Sequence, residues 1–217
     1  MKPVLSENDR IQLGQRIAEV EKITKTQVVL GTVKRCDVYA EVPWKAFALG
    51  TSVAGLLVFS FDLFLFSWIS HTTILISVAA ILSAGLIIIF LTLLFPRFAR
   101  LFISGYRLET ETQQYAESLF LSHELFSTER RSGILLLICL FERRVVILPD
   151  KGLSSRVSQE ALKRIIKLTT QSLAHNNDVR HAMEIALNEF IRIIEPLSPD
   201  ETVKDELSNE IMEEAGV

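Results

Sequence analysis

The chain has 217 residues, of which 49% are hydrophobic, and its mean hydropathy is +0.31. Much of the apolar excess falls between residues 46 and 95. This concentration argues against a soluble globular protein and indicates one ordinary domain plus a membrane segment. The formal net charge of −3 and the lack of a basic stripe argue against a nucleic-acid partner.

The N-terminal segment predicts a helix followed by a buried strand. Ser6 and Asp9 have the spacing of a capping box, and the residues that continue it at helical spacing are Leu13, Ile17 and Val20. The helix is expected over about 7–22. Residues 27–33 are nearly continuously apolar and β-branched, which is typical of a strand buried on both faces. Residues 7–43 therefore form the first part of an α/β domain.

Residues 46–95 have the composition of a two-helix transmembrane hairpin, with spans over 46–69 and 74–95. The second span carries no charge and would measure about 33 Å, close to the hydrocarbon thickness of a bilayer. The alternative, a hairpin buried in a soluble core, would need protein on every face of both helices, and too little chain remains to supply it.

The basic residues around the hairpin predict its orientation. The loop 70–73 has no Lys or Arg, whereas both outer flanks are basic, so both termini are expected in the cytoplasm. The flanking bases are Lys34, Arg35, Lys45, Arg97, Arg100 and Arg107. No secretory signal is visible, and we expect a two-pass protein of the plasma or inner membrane.

The segment 105–195 is predicted to complete the α/β domain. A helical stripe runs from Leu108 to Phe126, and the apolar run 134–141 is too short to span a membrane, so it indicates a central strand. A tight turn then leads into a second strand over 144–148, which makes a hairpin. Two helices are expected over about 158–174 and 178–194, and Pro196 and Pro199 end the ordered domain. The acidic tail 196–217 is predicted to be disordered.

Two acids follow predicted strands and are the candidate metal ligands. Ligands gather outside strand ends in open α/β sheets, so Asp37 and Asp150 could together bind a divalent cation such as calcium. The competing interpretation is structural, because Asp150 stands in a Pro-Asp-Lys-Gly turn, where aspartate is ordinary turn chemistry.

Asp62 is an acid inside the first predicted span. A carboxylate in hydrocarbon costs about 2.5–3.5 kcal/mol, so an intramembrane acid suggests a function such as proton coupling. The alternative is a tolerated acid, which reaches the interface near Trp68 or is buried in an oligomer.

The cysteines and histidines do not form a recognisable catalytic or metal-binding pattern in the sequence. The two cysteines, Cys36 and Cys139, have no CxxC neighbour and no histidine at metal spacing, so no structural disulfide is expected. Cys139 lies in an apolar run and is interpreted as a small buried hydrophobe. The four histidines are scattered, and GxGxxG, P-loop, HExxH and GxSxG motifs are absent. No catalytic or cofactor-binding residue is predicted.

Two stretches carry a resemblance to a known family. They are Thr128–Leu135 and Leu140–Leu153, the second containing Glu-Arg-Arg-Val and Asp-Lys-Gly, and together they resemble the core signature of the TPM domain. Upstream, Ile17–Lys22 and Pro43-Trp44 are similar to that domain's first helix and strand. The resemblance implies an α/β fold with a small mixed sheet between helices, interrupted here by the hairpin, as in bacterial membrane proteins of this type.

The resemblance also implies two kinds of function. Relatives include thylakoid lumen proteins implicated in photosystem II assembly and repair and a nematode receptor modulator, and some plant members are ascribed acid phosphatase activity and calcium binding. We expect a non-enzymatic, membrane-anchored interaction module that assists the assembly, stability or quality control of other membrane proteins, with homo-oligomerisation left open. The alternatives are a metal-dependent phosphohydrolase using Asp37 and Asp150, and a proton-coupled membrane component using Asp62.

Overall fold

A computed structural model describes residues 4–65, 71–153, 156–176, 178–194 and 211–216. The chain divides into two compact units. The first unit joins Met1–Asp37 to Glu109–Val217, and the second consists of Val38–Leu108. The predicted hairpin therefore interrupts the first unit in sequence.

The described residues form seven α-helices and four strands. The helices are α1 Glu7–Thr24, α2 Glu41–Leu65, α3 His71–Leu94, α4 Pro96–Ala99, α5 Gly105–Ser122, α6 Gln159–Asn176 and α7 Val179–Ile193. The strands are β1 Gln27–Val33, β2 Gly133–Cys139, β3 Arg144–Pro149 and β4 Met212–Glu214. Short 3₁₀ turns at Arg100–Phe102 and Lys151–Leu153 follow α4 and β3.

The first unit is built on one mixed sheet in the order β3-β2-β1-β4. β1 and β2 are parallel, in register from Gln27 opposite Gly133 to Val33 opposite Cys139. β3 returns antiparallel to β2, as the tight turn in the sequence predicts, and β4 lies parallel to β1. The strand before the hairpin thus pairs with the strand after it, because an isolated apolar strand needs sheet partners.

Helices cover both faces of this sheet. Alternate residues of β1 and β2 belong to two separate clusters, as the two-residue period of a strand requires. Val28 and Ile134 pack in a cluster with residues of α1, α6 and α7, whereas Val29 and Leu135 pack in a cluster with residues of α5. The predicted α/β fold, a small mixed sheet between helices, is confirmed.

The end of the chain differs from the prediction. The disordered tail predicted over 196–217 is wrong for residues 211–216, because Met212–Glu214 form β4. Glu213 accepts hydrogen bonds from the backbone N–H groups of Val4 and Leu5, each at 3.2 Å, and pairs with Arg10 at 2.9 Å. These partners offset the cost of removing the Glu213 carboxylate from water, whereas composition alone predicts that this acid is exposed to solvent. Residues 195–210 lie outside the described residues.

The second unit contains the two apolar helices. Both α2 and α3 are long and apolar enough to cross a membrane, and most of their side chains are exposed. α2 begins at Glu41, before the predicted span, because the polar first turn is held by ion pairs of Glu41 with Lys45 at 3.9 Å and Arg107 at 3.6 Å. α3 begins at His71, also before its predicted span. The predicted end of the first span falls on residues 66–69, outside the described residues.

The two helices approach closely at paired glycines. A Cβ atom built on Gly50 would lie 3.0 Å from the Cα of Gly85. A Cβ on Gly85 would lie 2.6 Å from Cγ2 of Thr51 and 2.7 Å from the ring of Phe47. Small residues that let helix backbones come together are typical of helix pairs in membranes.

Candidate functional site

The two predicted acidic ligands lie at opposite edges of the sheet. Asp37 follows β1, at the edge where β1 and β2 end. Asp150 follows β3, which runs antiparallel, so it lies where β2 begins, and its N–H donates to the carbonyl of Gly133 at 2.8 Å. A seven-residue strand spans about 20 Å. The expectation that these two acids share a cation is therefore wrong, because the orientation of β3 separates them.

Asp150 is engaged in holding its turn. Its carboxylate is 4% exposed and accepts hydrogen bonds from Nε and Nη2 of Arg131 at 2.8 and 3.0 Å. It also accepts one from the backbone N–H of Lys151 at 2.7 Å. At Gly152 a Cβ would lie 2.2 Å from the carbonyl oxygen of Arg130, so only glycine fits there. This set does not fit a calcium site, since the carboxylate already neutralises a guanidinium.

A different cluster forms at the edge where the parallel strands end. Cys36 follows β1, Cys139 is the last residue of β2, and Glu142 stands in the turn between β2 and β3. Their Sγ and carboxylate oxygen atoms all lie within 4.8 Å of one another, and the residues are 5%, 0% and 4% exposed. Oε1 of Glu142 accepts a hydrogen bond from the backbone N–H of Cys36 at 2.9 Å, which ties the loop after β1 to the turn.

The close packing of this cluster raises the pKa of the Cys36 thiol and the pKa of a neighbouring tyrosine, Tyr115. The hydrogen bond with the thiol of Cys139, then burial and the charge of Glu142, raises the pKa of the Cys36 thiol far above its ordinary value. Burial, then the charges of Glu214, Cys36 and Cys139, raises the pKa of Tyr115 to about 12. Tyr115 of α5 packs against the apolar cluster that contains both cysteines. Both cysteines are free thiols in the structure.

Sequence reasoning missed this cluster, although one signal was present. Both cysteines stand at or just after the end of a predicted apolar strand. Once β1 and β2 are paired in parallel, their carboxyl ends meet at one edge, where ligands bind in open α/β sheets. The parallel orientation of two strands separated by the hairpin is the information that local patterns lack.

The remaining predicted residue, Asp62, lies in the last turn of α2 and is exposed. This position is near the end of the apolar helix rather than at its centre. Whether Asp62 couples protons or is a tolerated acid stays a prediction.

The fold and the cluster define a helix-flanked α/β domain whose sequence is interrupted by two apolar helices. Residues 102–193 match the family model of the TPM domain, so this part of the chain is similar to that family. The structure is similar to the NMR structure of the BA42 protein from the psychrophilic bacterium Bizionia argentinensis, with a TM-score of 0.53 and 14% sequence identity over 98% of this chain and 97% of that one. At this identity the likeness shows the fold alone. No curated protein matches the chain.

Proposed function

We propose that this protein is a two-pass, membrane-anchored TPM module that assists the assembly, stability or quality control of other membrane proteins. The observation that supports this most directly is the exposed apolar surface of α2 and α3. Large side chains along both helices are more than half exposed, among them Leu56, Phe59, Phe64, Leu75, Leu86 and Phe90. A contiguous apolar surface of this kind needs lipid or another protein to cover it. The bilayer is accordingly the first partner in this proposal.

The basic flanks supply the orientation in this proposal. Lys45 and Arg107 both belong to the unit that holds the apolar helices, and both pair with Glu41 outside the apolar stretch. Positively charged residues on the two outer flanks and none in the loop favour cytoplasmic termini. The α/β domain would then be presented to cytoplasmic segments of other membrane proteins.

An interaction role is favoured over hydrolysis by the arrangement of the acids. A two-metal hydrolytic site needs several oxygen ligands around ions about 3.5–4 Å apart. Among the described residues no three carboxylates converge, and Asp37 and Asp150 are separated by the length of the sheet. The resemblance of this chain to the TPM family, which includes proteins implicated in photosystem II assembly, then supports the interaction role. Homo-oligomerisation is compatible with it.

Membrane anchoring is tested with paired substitutions near the middle of each helix. Leu56→Lys with Leu86→Lys places charges at exposed apolar positions, at a cost of about 2.5–3.5 kcal/mol each if lipid surrounds them. Leu56→Ile with Leu86→Ile is the matched control. We expect the wild type and the control to remain with membranes after alkaline extraction and the lysine pair to be released or degraded. Complete extraction of the wild type would refute anchoring.

The assembly role is tested in the cell of origin by deleting the gene and measuring lifetimes of membrane proteins by pulse labelling and mass spectrometry. We expect a subset to decay faster and to recover with the wild type and the isoleucine pair, but not with the lysine pair. Unchanged lifetimes would contradict the role. Phosphomonoester hydrolysis by the purified protein that is lost in both Asp37→Asn and Asp150→Asn, with stability retained, would favour the hydrolase instead.

A further inference from the structure

We propose that Cys36, Cys139 and Glu142 form a binding site for a thiophilic divalent cation of the Zn²⁺ class, in which both sulfur atoms and one carboxylate oxygen are ligands. The inference is independent of membrane anchoring, because it rests only on the sheet edge of the first unit. It also differs from the calcium site that the TPM resemblance implies, since the donor atoms here include two sulfurs.

The geometry is close to what such a cation requires. Zinc binds sulfur at about 2.3 Å and carboxylate oxygen at about 2.0–2.2 Å, so ligand atoms of a tetrahedral site lie roughly 3.5–4 Å apart. The three donor atoms already lie within 4.8 Å of one another. Closing the site therefore needs small side-chain rotations rather than a change of backbone.

The backbone that carries the ligands is well held. Cys139 lies in β2 between its register partners Val33 in β1 and Arg144 in β3. The loop with Cys36 is fixed by the hydrogen bond from its N–H to Glu142 at 2.9 Å. A carboxylate that accepts a backbone hydrogen bond while it binds a metal is a recurring arrangement, because the bond orients the ligand.

The charge balance also permits two thiol protons to be replaced by one divalent cation. Two thiols and one carboxylate carry one negative charge, and two thiolates, one carboxylate and one divalent cation carry the same charge. Each metal–sulfur bond replaces an S–H bond, so two protons leave to solvent for each cation bound. The buried cluster, at most 5% exposed at each residue, thus accepts the cation without burying additional net charge.

The two sulfur donors and one oxygen donor determine which metals are preferred, and they leave one coordination position open. Thiolates favour zinc and other soft or borderline ions, whereas calcium and magnesium need mostly oxygen ligands. Three protein ligands leave the fourth tetrahedral position to water or a further group. Tyr115 of α5 packs against the apolar cluster that contains both cysteines, and in this proposal it borders that position.

The test uses the full-length protein in detergent, reduced and freed of metal, and titrated with Co²⁺ and then Zn²⁺. We expect one cobalt per chain, with thiolate-to-cobalt charge-transfer absorption that zinc abolishes by displacement. Cys36→Ser and Cys139→Ser should weaken binding by about a hundred-fold or more and reduce that absorption. Glu142→Gln keeps an oxygen to accept the Cys36 N–H and should weaken binding about ten-fold, with the charge-transfer band retained.

Asp150→Asn, at the opposite edge of the sheet, is the matched control and should leave cobalt binding unchanged. Should a cysteine variant fail to fold, the wild-type cobalt spectrum and the loss of its thiolate band on addition of zinc decide the matter. Binding of cobalt without a thiolate band, binding undiminished in folded cysteine variants, or no stoichiometric binding would each overturn the site. A Cys36–Cys139 disulfide on removal of reductant, with no metal bound under reducing conditions, would overturn it as well.

Discussion

Arg131 and Asp150 form a bidentate ion pair across the turn that follows β3, with Nε–Oδ2 and Nη2–Oδ1 distances of 2.8 and 3.0 Å. The guanidinium of Arg131 also lies 5.6 Å from the ring centroid of Phe126. The hydrogen bond with Asp150 raises the pKa of Arg131. The aspartate that looks like a ligand in the sequence thus positions the start of β2.

The first prediction follows from this pair. Asp150→Asn removes the charge but keeps the size, so the turn loses charge-assisted hydrogen bonds in a nearly buried place. We expect the Tm to fall by several degrees, on the order of 5 °C. Asp37→Asn, at the other edge, should change the Tm by less. Equal Tm values for the wild type and Asp150→Asn in scanning fluorimetry would contradict a structural role for the pair.

The second prediction concerns the contact between α2 and α3. Gly85→Ala would place a Cβ 2.6 Å from Thr51 and 2.7 Å from the Phe47 ring, so the helices must separate or shift. We expect a loss of about 1–3 kcal/mol in unfolding free energy, measured in detergent. Gly55→Ala is the matched control, because a Cβ there meets nothing within 4 Å, and it should be neutral or stabilising by up to about 1 kcal/mol. A control as damaging as Gly85→Ala would refute the close contact.

The fold illustrates which features local patterns predict. The capping box of Ser6 and Asp9 is present, and α6 and α7 begin within one residue of their predicted starts, because helix signals and turn chemistry act over a few residues. The β2–β3 hairpin follows for the same reason. These features need no knowledge of distant parts of the chain.

Features that depend on distant partners were beyond such patterns. β4 forms because Glu213 finds Arg10 and the N–H groups of Val4 and Leu5, more than two hundred residues earlier in the chain. The cluster of Cys36 and Cys139 exists because β1 and β2 are parallel, and the separation of Asp37 from Asp150 exists because β3 is antiparallel. Strand orientation across a long insertion is set by tertiary packing rather than by either strand's own residues.

The third prediction concerns pH. A hydrogen bond from the Ser6 hydroxyl, 2.6 Å from Oδ2 of Asp9, and the ion pair with Arg180 at 3.0 Å lower the pKa of Asp9. Because the folded value is lower than the unfolded value of about 3.9, the stabilisation is present above that pH and is lost as the pH falls through the folded value. Asp9→Asn should therefore lower the Tm at pH 7, and the difference should shrink in strong acid. A Tm difference that is constant with pH would contradict the linkage.

The fourth prediction concerns the C-terminal strand. Glu213→Ala removes the acceptor of two backbone N–H groups and the partner of Arg10, so β4 should detach from β1. We expect faster hydrogen exchange at the β1 edge and a Tm lower by on the order of 5 °C. Glu214→Ala is the control, because its carboxylate makes a long, more exposed contact with His123 at 4.0 Å. Unchanged exchange in Glu213→Ala would show that β4 does not depend on this residue.

The last prediction concerns orientation in the membrane. Lys151 is exposed after β3, Thr72 is exposed at the start of α3, and both native cysteines are buried, so the wild type is a suitable unlabelled background. The basic flanks and the uncharged loop favour cytoplasmic termini. In intact cells an impermeant maleimide should therefore label Thr72→Cys but not Lys151→Cys. After permeabilisation Lys151→Cys should also react, which shows that its thiol is accessible. Labelling of Lys151→Cys in sealed cells would place the α/β domain outside, and the proposed partners would then have to be sought among extracytoplasmic segments of membrane proteins.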